Sequence, residues 1–194
     1  MAYLSQDEIN KIGFAQVGHD VFISDKASFH NPAKISIGSF VRIDDFCLLS
    51  AGEDGIEIGN YVHISCYACL IGKGLIKLHD YVLISIKATI LSSNSDFSGQ
   101  FAPALKEFDT LDKPYATVFS EAVTFETHTG LGAHSVVLPG VTVGEGTAVG
   151  AMSVVYQSLN PWGIYLGNPA RFATKRSKRV YKILEDLKES QADI

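Results

Sequence analysis

Gly132-Ala133-His134-Ser135-Val136-Val137-Leu138-Pro139-Gly140-Val141-Thr142-Val143-Gly144-Glu145-Gly146-Thr147-Ala148-Val149-Gly150 repeats itself in sixes. An aliphatic residue recurs at Leu131, Val137, Val143 and Val149, with Gly directly after it at Gly132, Gly144 and Gly150. Four places on stands a small or branched residue: Ser135, Val141, Thr147 and Ser153. A period of six matches neither the 3.6 of an α-helix nor the two of a lone amphipathic strand. It matches a solenoid in which each short strand sends one aliphatic side chain inward and each corner takes a small residue.

Upstream, the repeat has a longer form. Ile35-Ser36-Ile37-Gly38-Ser39-Phe40-Val41-Arg42-Ile43, Ile56-Glu57-Ile58-Gly59-Asn60-Tyr61-Val62-His63-Ile64 and Ile76-Lys77-Leu78-His79-Asp80-Tyr81-Val82-Leu83-Ile84 follow one another at about 20 residues, near three hexads. Each is one coil of a three-sided solenoid. In register, Arg42, His63 and Leu83 stack in one column, and Asp44, Ser65 and Ser85 in the next. The pattern breaks from Ser92 to about Val118, which contains Asp96-Phe97-Ser98-Gly99, and resumes at Val123. A long excursion from a compact solenoid is a candidate functional loop.

The ends are different in kind. Ser5 and Glu8 have capping-box spacing and Gly13 supplies a stop, which predicts a helix over 5–12. Val180, Ile183, Leu184 and Leu187 make one apolar face, which predicts a helix over 175–190. The chain reads as one domain: a helical segment at 1–16, repeats at 17–155 with the loop at 92–118, and a C-terminal segment at 156–194.

Composition narrows the function. The 194 residues suffice for one sizeable core, and a net charge of −5 argues against nucleic acid as a partner. No apolar run approaches the ~20 residues of a membrane helix, and the N-terminus has no basic segment followed by an apolar one. Three Cys argue against a disulfide framework. The expectation is a cytoplasmic protein. Cys66-x-x-Cys69 has metal-pair spacing, but a structural zinc needs about four ligands and Cys47 is the only other Cys, so small buried fillers are expected and no metal.

These hexads, together with Gly167-Asn168-Pro169-Ala170-Arg171, make the chain resemble the hexapeptide-repeat acyltransferases over residues 17–176. The resemblance implies an all-β left-handed parallel β-helix, an exception to the usual right-handed crossover. It also implies a homotrimer with sites between subunits. Exposed aromatics such as Phe40, Tyr61 and Tyr81 give flat faces a reason to associate.

Acetyl-CoA is the co-substrate the resemblance implies, its pantetheine arm lying against the last coils. Ala133 and Ala151 match the small pantetheine-side residues and Arg171 the basic one; Ser153, Lys175 and Arg176 are assigned to the cofactor with them. Small side chains allow close approach, and the cluster of cations suits an anionic nucleotide.

Transfer to a hydroxyl needs a general base. Maltose- and galactoside-type members carry a His in the loop leaving a middle coil; this chain has Ser93-Asn94-Ser95-Asp96 there. The Asp96-Phe97-Ser98-Gly99 loop is closer to a sugar-modifying branch associated with surface polysaccharide and lipopolysaccharide synthesis. His128 and His63 are the candidate bases, while Asp44, Asp45 and Asp96 are candidate acceptor contacts. His134 lies near the groove at a position that often holds a turn Asn, and His19, His30 and His79 read as surface or turn residues.

The activity expected is acetyl transfer from acetyl-CoA to a sugar hydroxyl. The alternative enzyme is an N-acetyltransferase acting on a nucleotide-linked amino sugar, for which a strong base matters less. A non-catalytic solenoid scaffold would show no acetyl-CoA binding. A γ-class carbonic anhydrase shares the solenoid, but His63, His128 and His134 lack its ligand spacing.

Overall fold

The computed structural model describes residues 2–95, 118–181 and 183. Short strands take turns on three faces. Gln16–Val17, Ile35–Ile37, Ile56–Ile58, Ile76–Leu78, Val123–Phe125 and Thr142–Val143 stack as the first sheet. Phe22–Ile23, Arg42–Ile43, His63–Ile64, Leu83–Ile84, Gly130–Leu131, Ala148–Val149 and Gly163–Leu166 form the second, closed by Arg171–Lys175. Ser28–His30, Leu48–Ala51, Cys69–Gly72, Thr89–Leu91, Val136–Val137 and Val154–Val155 form the third. Pairing between coils is parallel throughout; the antiparallel ladders are Ser93–Ser95 with Val118–Ser120 and Gly163–Leu166 with Arg171–Lys175.

The two-residue strands of the second sheet point one aliphatic residue inward and the longer strands Ile35–Ile37, Ile56–Ile58 and Ile76–Leu78 point two, and like stacks on like. Ile23, Ile43, Ile64, Ile84, Leu131 and Val149 form one buried column, and Leu49, Leu70, Ile90, Val137 and Val155 another. This is the hexad read in three dimensions, with the core a stack of columns rather than a packed layer. Gly132 shows how tightly coils stack, because a Cβ there would stand 2.5 Å from the Ala151 backbone nitrogen.

The corners are unusual. Phe40, Tyr61, Tyr81 and His128 all have positive φ, between 57 and 62°. Bulky side chains seldom adopt this conformation. Here it lets each backbone N–H donate to the coil below: Tyr61 to Ser39 O at 3.0 Å, Tyr81 to Asn60 O at 2.9 Å, His128 to Asp80 O at 3.1 Å. It also stacks the rings, with centroids 4.7 Å apart for Phe40–Tyr61 and Tyr81–His128 and 4.8 Å for Tyr61–Tyr81. The next corner repeats the device with Phe46 and Tyr67, stacked at 4.9 Å, followed by Lys87, His134 and Met152.

At the N-terminus α1 (Gln6–Ile12) starts at a Ser5 capping box, ends on a left-handed Gly13 and buries Ile9. The C-terminus departs from the sequence reading. Residues 171–175, expected to begin a helix at Lys175, instead pair as a strand with Gly163–Leu166. The physical reason is the open edge of the last coil, whose backbone groups need partners. Helical structure begins at 179, and Lys182, Leu184, Leu187 and the remainder to Ser190 lie outside the described residues.

The excursion leaves and returns through the antiparallel ladder Ser93–Ser95 with Val118–Ser120; its interior, Asp96 included, also lies outside the described residues. Cys66 is another correction. It sits in a corner, and with Cys69 it is half-buried, whereas Cys47 is the thiol in the core. Among the described residues no helix is long and apolar enough to cross a membrane.

Candidate active site

The outward side of the second sheet carries one row through successive coils: Phe22, Arg42, His63, Leu83, Gly130. Asp44 follows Arg42 by two, so strand alternation puts both on one face. The Asp44 carboxylate is buried. It accepts from Arg42 Nε at 2.7 Å and pairs with His63 Nε2 at 2.8 Å. That hydrogen bond holds the Arg42 guanidinium above its already high ordinary value. With Nε2 on Asp44, His63 Nδ1 has no hydrogen-bond partner among the described residues. Asp45 turns the other way, accepting from Ser24 Oγ at 2.5 Å and from Lys26 Nζ at 3.2 Å, and these contacts hold it below the usual carboxylate range. The sequence puts Asp44 and Asp45 together; the structure gives them separate partners.

His128 is elsewhere. It belongs to the corner ladder, is 7% exposed, stacks on Tyr81 and meets the edge of Tyr181 at 5.3 Å. Burial lowers its pKa below the ordinary 6.5. The structure therefore does not bring the two candidate bases into one constellation. His63 is half-exposed and buttressed by a carboxylate, whereas His128 is packed between rings.

On the cofactor side, Ala133 is half-buried and Ala151 exposed on one corner, stacked so that Met152 N–H donates to Ala133 O at 2.8 Å. Ser153 is fully buried. Its side chain is interior, because inward corner positions take small residues, and its hydroxyl accepts from Gly167 N–H at 3.0 Å. Together with Ala170 N–H to Val154 O at 2.8 Å, this docks the Gly167-to-Arg171 loop on the last coil. Arg171 is exposed and lines a cavity of about 210 Å³ with Tyr156, Ser158, Asn160, Tyr165 and Phe172. Lys175 is exposed.

Arg176 is half-buried. Its guanidinium donates through Nη1 to His128 O at 2.7 Å and Gly146 O at 3.1 Å, strapping the C-terminal segment over the corner ladder. Tyr181, bonded to Glu145 and packed on Trp162, and Lys178, 5.0 Å over Trp162, complete that strap. No periodicity in the sequence marks these partners. Beneath the strap lies a cleft of about 200 Å³ lined by Tyr81, Leu83, His128, Gly130, Arg176 and Val180. Among the described residues no group of three or more His, Cys, Asp or Glu is placed to hold a metal ion.

No family model matches the chain. Over 190 residues, 98% of this chain and 97% of the relative, it is 41% identical to the dTDP-4-amino-4,6-dideoxy-D-glucose acyltransferase of Escherichia coli. The chain belongs to the hexapeptide-repeat acyltransferases. Among solved structures, the N-acyltransferase AntD from Bacillus cereus, in complex with dTDP and 3-hydroxybutyryl-CoA, is 40% identical with a TM-score of 0.89, covering 98% of each chain. A hexapeptide-repeat acetyltransferase of Vibrio cholerae, complexed with acetyl coenzyme A, shares the fold at 18% identity and a TM-score of 0.62, over 90% of this chain and 80% of that one. As a member of the hexapeptide-repeat acyltransferases this chain is an enzyme of acyl transfer; the hexads predict its parallel β-solenoid, and the resemblance implied the left-handed β-helix. Arg42, which the sequence left unassigned, shares the Asp44 carboxylate with the candidate His63. The signal was there, since register placed it beside His63 and alternation placed it above Asp44.

Proposed function

We propose that the chain transfers a short acyl group, acetyl in the simplest case, from its coenzyme A thioester to the amine of a dTDP-linked amino-deoxy sugar. The observation that carries this is the 41% identity, across 98% of the chain, to an acyltransferase whose acceptor is a dTDP-linked 4-amino sugar. The hydroxyl acceptor, first choice from the sequence, gives way to its alternative, and chemistry supports the change. A neutral amine attacks without a base to deprotonate it, which suits a chain in which His63 and His128 stand apart in separate constellations.

The nitrogen lone pair adds to the thioester carbonyl carbon. As the new C–N bond forms and the C–S bond breaks, the coenzyme A thiolate leaves and takes up the proton that nitrogen sheds. The enzyme's part is to hold the two reactants in reach of each other. Ala133 and Ala151 are the residues for the pantetheine arm, and Arg171 and Lys175 are the exposed cations for the nucleotide phosphates.

A homotrimer fits the faces of the prism. Outward residues of the first sheet are Gln16, Ser36, Glu57, Lys77, Thr124 and Thr142, all polar, whereas the second sheet and its corners expose Phe22, Phe40, Phe46, Tyr61, Tyr67 and Leu83. The product fits a cytoplasmic supply of modified sugars for surface polysaccharide. The test is thiol release from acetyl-CoA with a dTDP-linked amino sugar and with its hydroxyl counterpart. Turnover on the amine alone, persisting in His63→Ala and His128→Ala, is expected; turnover on the hydroxyl, or on neither, overturns the reading.

A further inference from the structure

We infer that Arg42 and His63 form the subsite that holds the diphosphate of the acceptor nucleotide. This rests on the reading that the acceptor is nucleotide-linked. One buried carboxylate, Asp44, holds both side chains, through Arg42 Nε and His63 Nε2. Their strands are paired neighbours with backbones about 5 Å apart, and both head groups meet the one carboxylate. Among the described residues neither has another hydrogen-bond partner, so both Arg42 Nη groups and His63 Nδ1 are left unpaired on half-exposed side chains. A planar fork beside an imidazolium, which donates through Nδ1 while Nε2 stays on Asp44, is the arrangement that grips phosphate oxygens.

Asp44 is not there for the coil. The same column carries Ser65, Ser85 and Gly132 in later coils, and those coils stack on the same backbone hydrogen bonds. Burying a carboxylate is costly unless it is paired, and its pairing here fixes the Arg42 and His63 side chains side by side. The remaining charges nearby, Asp45 and Lys26, are paired with each other at 3.2 Å.

The row continues suitably on both sides. One strand step below Arg42 is Phe22, 51% exposed, with Tyr3 edge-on at 5.5 Å, an aromatic surface for a base. Above His63 come Leu83 and Gly130, opening into the cleft of about 200 Å³. A Cβ on Gly130 would touch nothing within 4 Å, so the hollow is open and largely apolar, as a deoxysugar ring with its methyl requires. Aromatic surface, paired donors and apolar hollow follow the order base, diphosphate, deoxysugar. The hollow end lies on the strand that leads into the Ala133 corner, where the thioester is proposed to lie.

The test uses the full chain and dTDP as probe, with calorimetric dissociation constants for the parent, Arg42→Gln, Arg42→Lys and His63→Gln. His63→Gln keeps an amide donor for Asp44, and free coenzyme A binding is the control for folding. The expected result is dTDP binding weakened about tenfold or more in Arg42→Gln and His63→Gln, and less in Arg42→Lys, which keeps the charge and loses the fork. Coenzyme A binding stays unchanged, and turnover shows a raised KM with kcat held. Variants that bind dTDP like the parent overturn the subsite and leave the proposed function standing. A parent that binds no dTDP overturns both.

Discussion

Thr129 stands at the inward corner position that Val41, Val62 and Val82 fill in earlier coils. It is 2% exposed, and among the described residues its hydroxyl has no hydrogen-bond partner. A buried hydroxyl without a partner loses its hydration and gains nothing in exchange, at a cost of about 1–3 kcal/mol. Valine has nearly the same shape. Thr129→Val should therefore stabilise the fold by about 1 kcal/mol, which raises Tm by about 2–4 °C for a domain of this size. The next coil supplies the control. Thr147 occupies the same position one strand on, is also fully buried, but donates to Asn160 O at 2.8 Å. Thr147→Val should destabilise by about 1 kcal/mol, the net worth of one such bond. The assay is equilibrium unfolding in urea at fixed protein concentration, followed through the single Trp, Trp162. Opposite signs are required. Two losses of similar size would refute the reasoning and show that the Thr129 hydroxyl has a partner in solution.

Other expectations concern charge and reactivity. Burial depresses the His128 pKa, so the unfolded chain takes up a proton near pH 6.5 while the folded one resists. The stability this residue contributes is intact above about pH 6.5 and falls at lower pH; His128→Gln should flatten the drop in urea midpoint between about pH 7.5 and 5.5. Burial pushes the Cys47 thiol up to about 12. Thiol reagents at mildly alkaline pH should label the half-buried Cys66 and Cys69 and spare Cys47, as read by mass spectrometry of peptides. Arg176→Gln removes the strap across His128 O and Gly146 O, at a cost of about 1–2 kcal/mol. Amide exchange over 171–181 should speed up while coenzyme A affinity stays within about twofold; a large loss of that affinity would return Arg176 to the cofactor.

Much of the fold was legible because a solenoid is periodic. Hexads at Leu131, Val137, Val143 and Val149 and coils at Ile43, Ile64 and Ile84 state which residues point inward, and each coil contacts chiefly its neighbours, so local pattern and global fold coincide. The same register placed Arg42, His63 and Leu83 in one row. Legibility stopped where the chain leaves the repeat. The basic residues from Arg171 read as cations for a nucleotide leading into a helix from Lys175, yet an unpaired sheet edge draws 171–175 into a strand and two backbone carbonyls accept from Arg176.

The sequence by itself determined the inward columns, the coil register and the corner residues, since each follows from spacing along one strand and stacking on the next. Only the tertiary structure decided that Asp44 and Asp45, adjacent in the chain, serve different partners, and that His128 is a rung of an aromatic stack while His63 is a buttressed surface group. Those outcomes depend on which side chain of a neighbouring coil, or of a returning tail, reaches a given atom. A one-dimensional repeat carries no record of that reach.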